Sequence, residues 1–218
     1  MKRAVLPAFA LLLTATFAGT AHADENRRGL QVEGMIGGSA CLPGRAPCRQ
    51  DGDTFDGFTK PSFGTGVSLG FRPVRWFMIG GLYRWGMFNP DYDGMDVDYS
   101  WGGQHTAALM LRPILPIWRF DLGVNIAPGY ARQVFRRADG ARDYSQGFAM
   151  LVGPVLDVYL TDRFFLGAEV DFIFNTQEKV CERRGDDTTC FDVSDDDDIK
   201  LTPTHQALFG LHLGWTFL

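Results

Sequence analysis

Residues 118–130 read WRFDLGVNIAPGY, and every second position is apolar: Trp118, Phe120, Leu122, Val124, Ile126, Pro128 and Tyr130. Between them stand Arg119, Asp121, Gly123, Asn125, Ala127 and Gly129. Successive side chains of a β-strand point to opposite faces, so this segment turns an unbroken apolar row to one medium and a charged or small row to another.

The same period of two returns along the chain. In 147–160 the apolar row is Phe148, Met150, Val152, Pro154, Leu156, Val158 and Leu160; in 164–175 it is Leu166, Ala168, Val170, Phe172 and Phe174. The last segment sets Ala207, Phe209, Leu211, Leu213, Trp215 and Phe217 against Gln206, Gly210, His212, Gly214 and Thr216. Four segments toward the N-terminus follow suit: 29–38 (Leu30, Val32, Ile36), 62–72 (Phe63, Val67, Leu69, Phe71), 76–87 (Phe77, Ile79, Tyr83, Trp85) and 103–112 (Ala107, Leu109, Leu111). Each is about ten residues long, enough for a tilted strand to cross a hydrocarbon layer. Eight is the even count of the smallest bacterial membrane barrels.

Connection lengths alternate. Short links are expected at 72–75, 113–116 and 161–163, and long ones at 39–61, 88–102, 131–146 and 176–203. Short turns at one end and long loops at the other are the asymmetry of outer-membrane barrels, with the loops outside the cell. The fold expected is therefore all-β: an eight-stranded antiparallel up-and-down transmembrane β-barrel with short periplasmic turns and long extracellular loops. Aromatic side chains gather at the strand ends, with Trp76, Trp118, Phe164, Trp215 and Phe217 at the turn end and Trp85, Phe88, Trp101 and Tyr130 at the loop end. Two interfacial girdles are the expectation.

The chain of 218 residues opens on Lys2 and Arg3, an apolar run over 4–13 and small residues up to Ala21, His22 and Ala23. This is the layout of a cleaved secretory signal peptide, which gives a signal segment 1–23 and a barrel domain 24–218. Elsewhere Gly, Pro, Arg or Asp interrupts every hydrophobic stretch before it reaches the roughly 18 apolar residues of a transmembrane helix. The composition, with 26 Gly, 18 Phe and 5 Trp, favours short strands. Export to an oxidising compartment makes disulfides the expected state of the four cysteines; the simplest pairing is local, Cys41 with Cys48 and Cys181 with Cys190, each bracketed by turn formers. No His lies beside either pair, which argues against zinc.

An unpaired backbone donor or acceptor in hydrocarbon costs several kcal/mol, so the strands must close into a ring. Eight strands enclose an interior just wide enough for side chains to fill. The residues expected to fill it with charge are Glu33, Arg72, Arg84, Arg112, Arg119, Asp121, Asp157, Glu169, Asp171 and His212. Glu33, Glu169 and His212 fall on strands one, seven and eight, which become neighbours on closure. A polar plug of ion pairs is the expected role. The loops carry the remaining acidity, with Asp91, Asp93, Asp96 and Asp98 in one and Asp186, Asp187, Asp192 and Asp195 to Asp198 in another. Asn89, Asp91, Asp93 and Gly94 resemble the start of a calcium loop, but Ser100 stands where a bidentate Glu is needed, so no metal site is expected.

Taken together, the export signal, the eight amphipathic segments, the alternating connections and a last strand running Leu213, Gly214, Trp215, Thr216, Phe217, Leu218 resemble the small OmpA/OmpX-type outer-membrane barrel family across the mature chain. The resemblance implies a non-enzymatic, monomeric protein of the cell outer membrane, surrounded by its lipid and lipopolysaccharide and delivered by the barrel-assembly machinery. That machinery commonly reads a terminal aromatic, here the penultimate Phe217. No cofactor and no nucleic-acid partner are implied. Two other readings stay open. A lipid A-modifying hydrolase of similar architecture needs a close His and Ser near the outer rim, where His105, His205, Ser100 and Thr204 stand without a His-x-Ser arrangement. The other is a soluble periplasmic β-barrel holding a lipophilic ligand.

Overall fold

The computed structural model describes residues 27–42, 49–51, 56–93, 99–176, 178–192 and 205–217. The signal segment 1–23, Cys48, Gly94, Asp96, Asp98, Asp195 to Asp198, Thr204 and Leu218 lie outside the described residues.

The described residues form twelve strands and no helix: β1 (Gly29–Cys41), β2 (Arg49–Asp51), β3 (Asp56–Lys60), β4 (Ser62–Val74), β5 (Phe77–Asp93), β6 (Tyr99–Ile117), β7 (Phe120–Arg137), β8 (Arg142–Tyr159), β9 (Phe164–Asn175), β10 (Lys179–Arg184), β11 (Asp187–Asp192) and β12 (Gln206–Phe217). Eight of them, β1, β4 to β9 and β12, pair in antiparallel succession, and β12 pairs back onto β1. The sheet therefore has no free edge in its lower part, which answers the hydrogen-bond demand of a hydrocarbon surround.

The ladder also fixes how far the ring is sheared. Starting at Leu30, partners run through Phe71, Ile79, Leu111, Ile126, Val152, Phe172 and Ala207 and return to β1 at Ala40, ten residues farther on. With eight strands, a 3.3 Å rise and 4.8 Å strand spacing, that shear tilts the strands by about 40° and gives a backbone radius of about 8 Å. Every residue on that path faces outward, and the alternation read from the sequence is the inside–outside alternation of the barrel.

The strands run beyond the apolar segments, and three expected connections are corrected. Residues 131–146 are not a long loop: β7 and β8 stay paired up to Arg136 and Arg142, and the chain reverses over 138–140. Gly140 takes φ 90° there, and the Asp139 carboxylate accepts from the Ala141 amide at 2.9 Å. Likewise, inside the loop expected at 88–102, β5 runs on to Asp93 against β3 and β6 already starts at Tyr99 against β7. Apolar alternation stops where hydrocarbon stops, but backbone pairing does not, since in water both faces of a hairpin can be polar. The tight link expected at 113–116 lies later, at Trp118 and Arg119. Pro113 and Pro116 stay in the ladder, opposite Phe77 and Asp121. A proline near a strand end forfeits only its own donor.

Candidate functional site

The interior is built from the inward members of each alternation. At the turn end, Arg72 on β4 donates to Asp121 on β7 at 2.6 Å, and Arg27, just before β1, donates to the other oxygen of the same carboxylate at 2.7 Å. The Arg27 guanidinium also lies 4.1 Å from the centre of the Tyr159 ring. Deeper in, Arg112 on β6 meets Glu33 on β1 with both of its terminal nitrogens, at 2.5 and 2.8 Å, and donates to Asn125 at 2.7 Å. Arg84 on β5 donates to both Glu169 oxygens at 3.0 and 2.9 Å and to Asp171 at 2.7 Å, the two carboxylates being on β9, the strand diametrically opposite in the ring. Its third nitrogen donates to the Ser68 hydroxyl at 3.0 Å.

His212 bonds to Asp157 at 2.6 Å, and the ladder explains why. Asp157, Gly167 and His212 are successive cross-strand partners on β8, β9 and β12. With no side chain on Gly167, the two flanking groups close over it; a Cβ there would stand 2.1 Å from His212 Nε2 and 2.5 Å from the Leu156 carbonyl oxygen. Gly167→Ala should therefore cost about 1–3 kcal/mol in detergent-refolded protein, measured by denaturant unfolding. An unchanged midpoint would contradict this packing.

A buried charge is tolerable only when paired and hydrogen-bonded. The arginines and carboxylates meet that condition, with Arg27, Arg72, Arg84 and Arg112 set against Glu33, Asp121, Asp157, Glu169 and Asp171, and His212 reaches Asp157 through Nε2 while its buried Nδ1 has no hydrogen-bond partner among the described residues. Interleaved with these charges is an apolar layer of Met35, Leu82, Met110, Leu151, Ile173 and Leu208, with Leu82 on the turn side of Arg84. Above it lie amide contacts: Gln133 donates to Gln104 at 2.6 Å, Asn175 donates to Gln104 at 2.9 Å, and Gln206 donates to Ser39 at 2.8 Å.

Nine of the ten expected interior residues are thus buried: Glu33, Arg72, Arg84, Arg112, Asp121, Asp157, Glu169, Asp171 and His212. Arg119 is the exception and is corrected. It sits half-buried on the β6–β7 turn, its guanidinium 5.6 Å from the Trp118 ring centre, because the strand reverses where it was expected to continue inward. Glu33 and Glu169 do lie on the strands adjoining that of His212, but its hydrogen bond goes to Asp157. Sequence reasoning missed Arg27, Asn125 and Tyr159. Asn125 and Tyr159 carried a signal, since each occupies an inward position of its alternating segment, 118–130 and 147–160.

Outside, the apolar rows form a continuous belt. Trp76, Trp118, Tyr130, Trp215 and Phe217 are exposed on it, Trp85 and Trp101 half-exposed. Phe164 packs on Trp215, and Trp85 stands between Phe63 and His105. Phe88 departs from the girdle: it is buried and stacks on Phe135 inside the mouth. Near the rim, His105 Nδ1 bonds to the Tyr83 hydroxyl at 2.6 Å, whereas the Ser100 hydroxyl donates to the Arg136 carbonyl at 3.1 Å, so these two do not form a nucleophile–base pair. His205 receives the Asn175 amide on its Nδ1 at 3.3 Å.

Above the belt, β10 and β11 form a hairpin closed by the Cys181–Cys190 disulfide. Cys41 is disulfide-bonded as well. Arg137 donates to Asp143 at 2.7 Å and to Glu182 at 3.2 Å, and the Tyr99 hydroxyl donates to Asp143 at 3.1 Å. Burial, reinforced by the Asp143 carboxylate, holds the Tyr99 phenol above its ordinary pKa. Asp91, one of the acidic residues expected in a loop, is ion-paired to Lys60 of β3. Among the described residues no group of three or more His, Cys, Asp or Glu is placed to hold a metal ion.

A closed, sheared ring with charges inside and a continuous apolar exterior defines the class of eight-stranded outer-membrane β-barrels. Several solved structures share this fold. The chain is similar to a major outer membrane protein from Thermus thermophilus (TM-score 0.60, 12% identity, covering 86% of this chain and 98% of that one). It is similar to the outer membrane protein OprG from Pseudomonas aeruginosa (0.55, 9%, 87% and 97%). It is also similar to the Neisserial surface protein A (0.54, 9%, 86% and 96%). No family model and no curated protein sequence matches the chain.

Proposed function

We propose that this is a non-enzymatic integral protein of the bacterial outer membrane, exported by residues 1–23, with a plugged lumen and disulfide-stapled acidic loops presented at the cell surface. The observation that carries the reading is the pairing of Arg84 with Glu169 and Asp171 across the full width of the ring, while the outward rows expose Leu, Val, Phe and Trp. Side chains bonded across the axis leave no continuous water column, and an exterior of that composition is solvated by acyl chains. The lumen charges then serve the barrel's integrity, and recognition falls to the loops and the rim. Phe217 supplies the aromatic by which the assembly machinery would receive the strand.

Cell fractionation with gel mobility before and after boiling tests the reading. The protein should sediment with outer membranes and migrate differently until heated; a freely soluble product with no heat-dependent shift would overturn it. In planar bilayers the folded barrel should give no steady conductance, and ohmic steps would remove the plug. Thiol labelling of unreduced native protein should find no free cysteine, and stoichiometric labelling would refute the staples.

A further inference from the structure

The hairpin extensions above the belt separate their charges by face. On one face Arg137 is bonded to both Asp143 and Glu182. On the other, Arg136, Arg142 and Arg183 are successive cross-strand partners on β7, β8 and β10. Arg132 faces the same way four residues below Arg136, its guanidinium 4.2 Å from the centre of the Tyr144 ring. All four arginines are exposed, and among the described residues no carboxylate lies within ion-pair distance of any of them. The carboxylate that the register puts on this face, Asp192, is bound to Lys179, and Asp139 caps the turn through the Ala141 amide. Like charges directly opposite each other on a sheet repel, so a row of three is unfavourable without an anion.

Its orientation and height identify the anion. Tyr130 and Phe148, on the same outward face of β7 and β8, are exposed members of the apolar belt. From Phe120 to Tyr130, at about 40° tilt, the belt on β7 rises about 25 Å, the thickness of the hydrocarbon band of such barrels. Arg132 is then about 5 Å above that band and the Arg136 row about 15 Å above it. Trp101 flanks the row as the partner of Arg136 on β6. The row thus lies where an outer leaflet of phosphorylated glycolipid carries its sugars and phosphates, and it faces sideways into them. Guanidinium groups bind phosphate oxygens in bidentate fashion, and indole faces stack on sugar rings.

We propose that Arg136, Arg142 and Arg183, with Arg132 beneath them, bind the phosphate groups of a phosphorylated outer-leaflet glycolipid on the outside wall of the barrel. The inference rests on the outer-membrane reading above. It is tested with the full-length folded barrel in detergent micelles doped with bisphosphorylated lipid A, with its enzymatically dephosphorylated form, or with inorganic phosphate alone, lipid retention being read by native mass spectrometry. Wild-type protein should retain the bisphosphorylated form selectively. The Arg136→Gln, Arg142→Gln, Arg183→Gln variant should lose roughly a hundredfold in retention, since each arginine at an anionic surface contributes about a factor of five. The heat-dependent mobility shift should survive in that variant; if it does not, Arg142→Gln alone should lose about fivefold. Equal retention of both lipid forms, or displacement of the lipid by millimolar inorganic phosphate, would overturn the proposal and leave the barrel standing. Absence of the mobility shift in the wild type would bring down the membrane reading itself.

Discussion

Replacing Arg84 by methionine is expected to destabilise the folded barrel by about 3–5 kcal/mol, the largest effect of any single interior change. The side chain is buried and is the joint partner of Glu169, Asp171 and Ser68. Removing it leaves two carboxylates facing each other without a cation, and Asn125, which donates to both at 3.4 and 3.3 Å, cannot neutralise them. Most of the loss is the desolvation of stranded anions, so Arg84→Met combined with Glu169→Gln and Asp171→Asn should recover the larger part of it. Denaturant unfolding in lipid vesicles measures both. A single-variant loss under about 1 kcal/mol would mean that these groups are hydrated, contrary to a filled interior.

Placing an arginine on the other face should show the opposite medium. Val124 lies outward near mid-height of the apolar belt on β7, and Val124→Arg is expected to cost about 2–4 kcal/mol. Tyr130→Arg, at the upper margin of the same row, should cost about 0–1 kcal/mol because the charge reaches the headgroups. The gradient between the two positions, more than either value, reports a hydrocarbon layer. Equal costs would identify the exterior as an ordinary hydrophobic surface.

What the sequence made legible was whatever hydrocarbon enforces. Outward positions such as Leu109, Leu122 and Leu213 must be apolar to meet acyl chains, so the period of two survived reading without any knowledge of register. Inward polarity at Asp121, Glu169 and His212 was legible for the same reason. The partners were harder to read, because the shear decides them. Strand adjacency alone pairs His212 with Glu33 and Glu169, yet its lateral row is Met35, His212, Gly167 and Asp157, and the glycine opens the path to the fourth member. Arg27 precedes any alternation and carried no pattern to read. Above the belt neither face is constrained by lipid, so the paired extensions of β5 to β8 looked like loops. The arginine row at Arg136, Arg142 and Arg183 was invisible for that reason: three residues distant in sequence become one surface only through the ladder.

The central claim is that acyl chains solvate one side of every barrel strand and none of the other. Intermolecular nuclear Overhauser effects between methyl groups and the acyl chains of the solubilising detergent measure this directly in the unmodified protein. Methyls of Leu109, Leu122, Leu211 and Leu213 should show strong contacts to acyl protons, and those of Leu82, Leu151, Ile173 and Leu208 should show none. Acyl contacts at the second group, or water contacts at the first, would contradict the account.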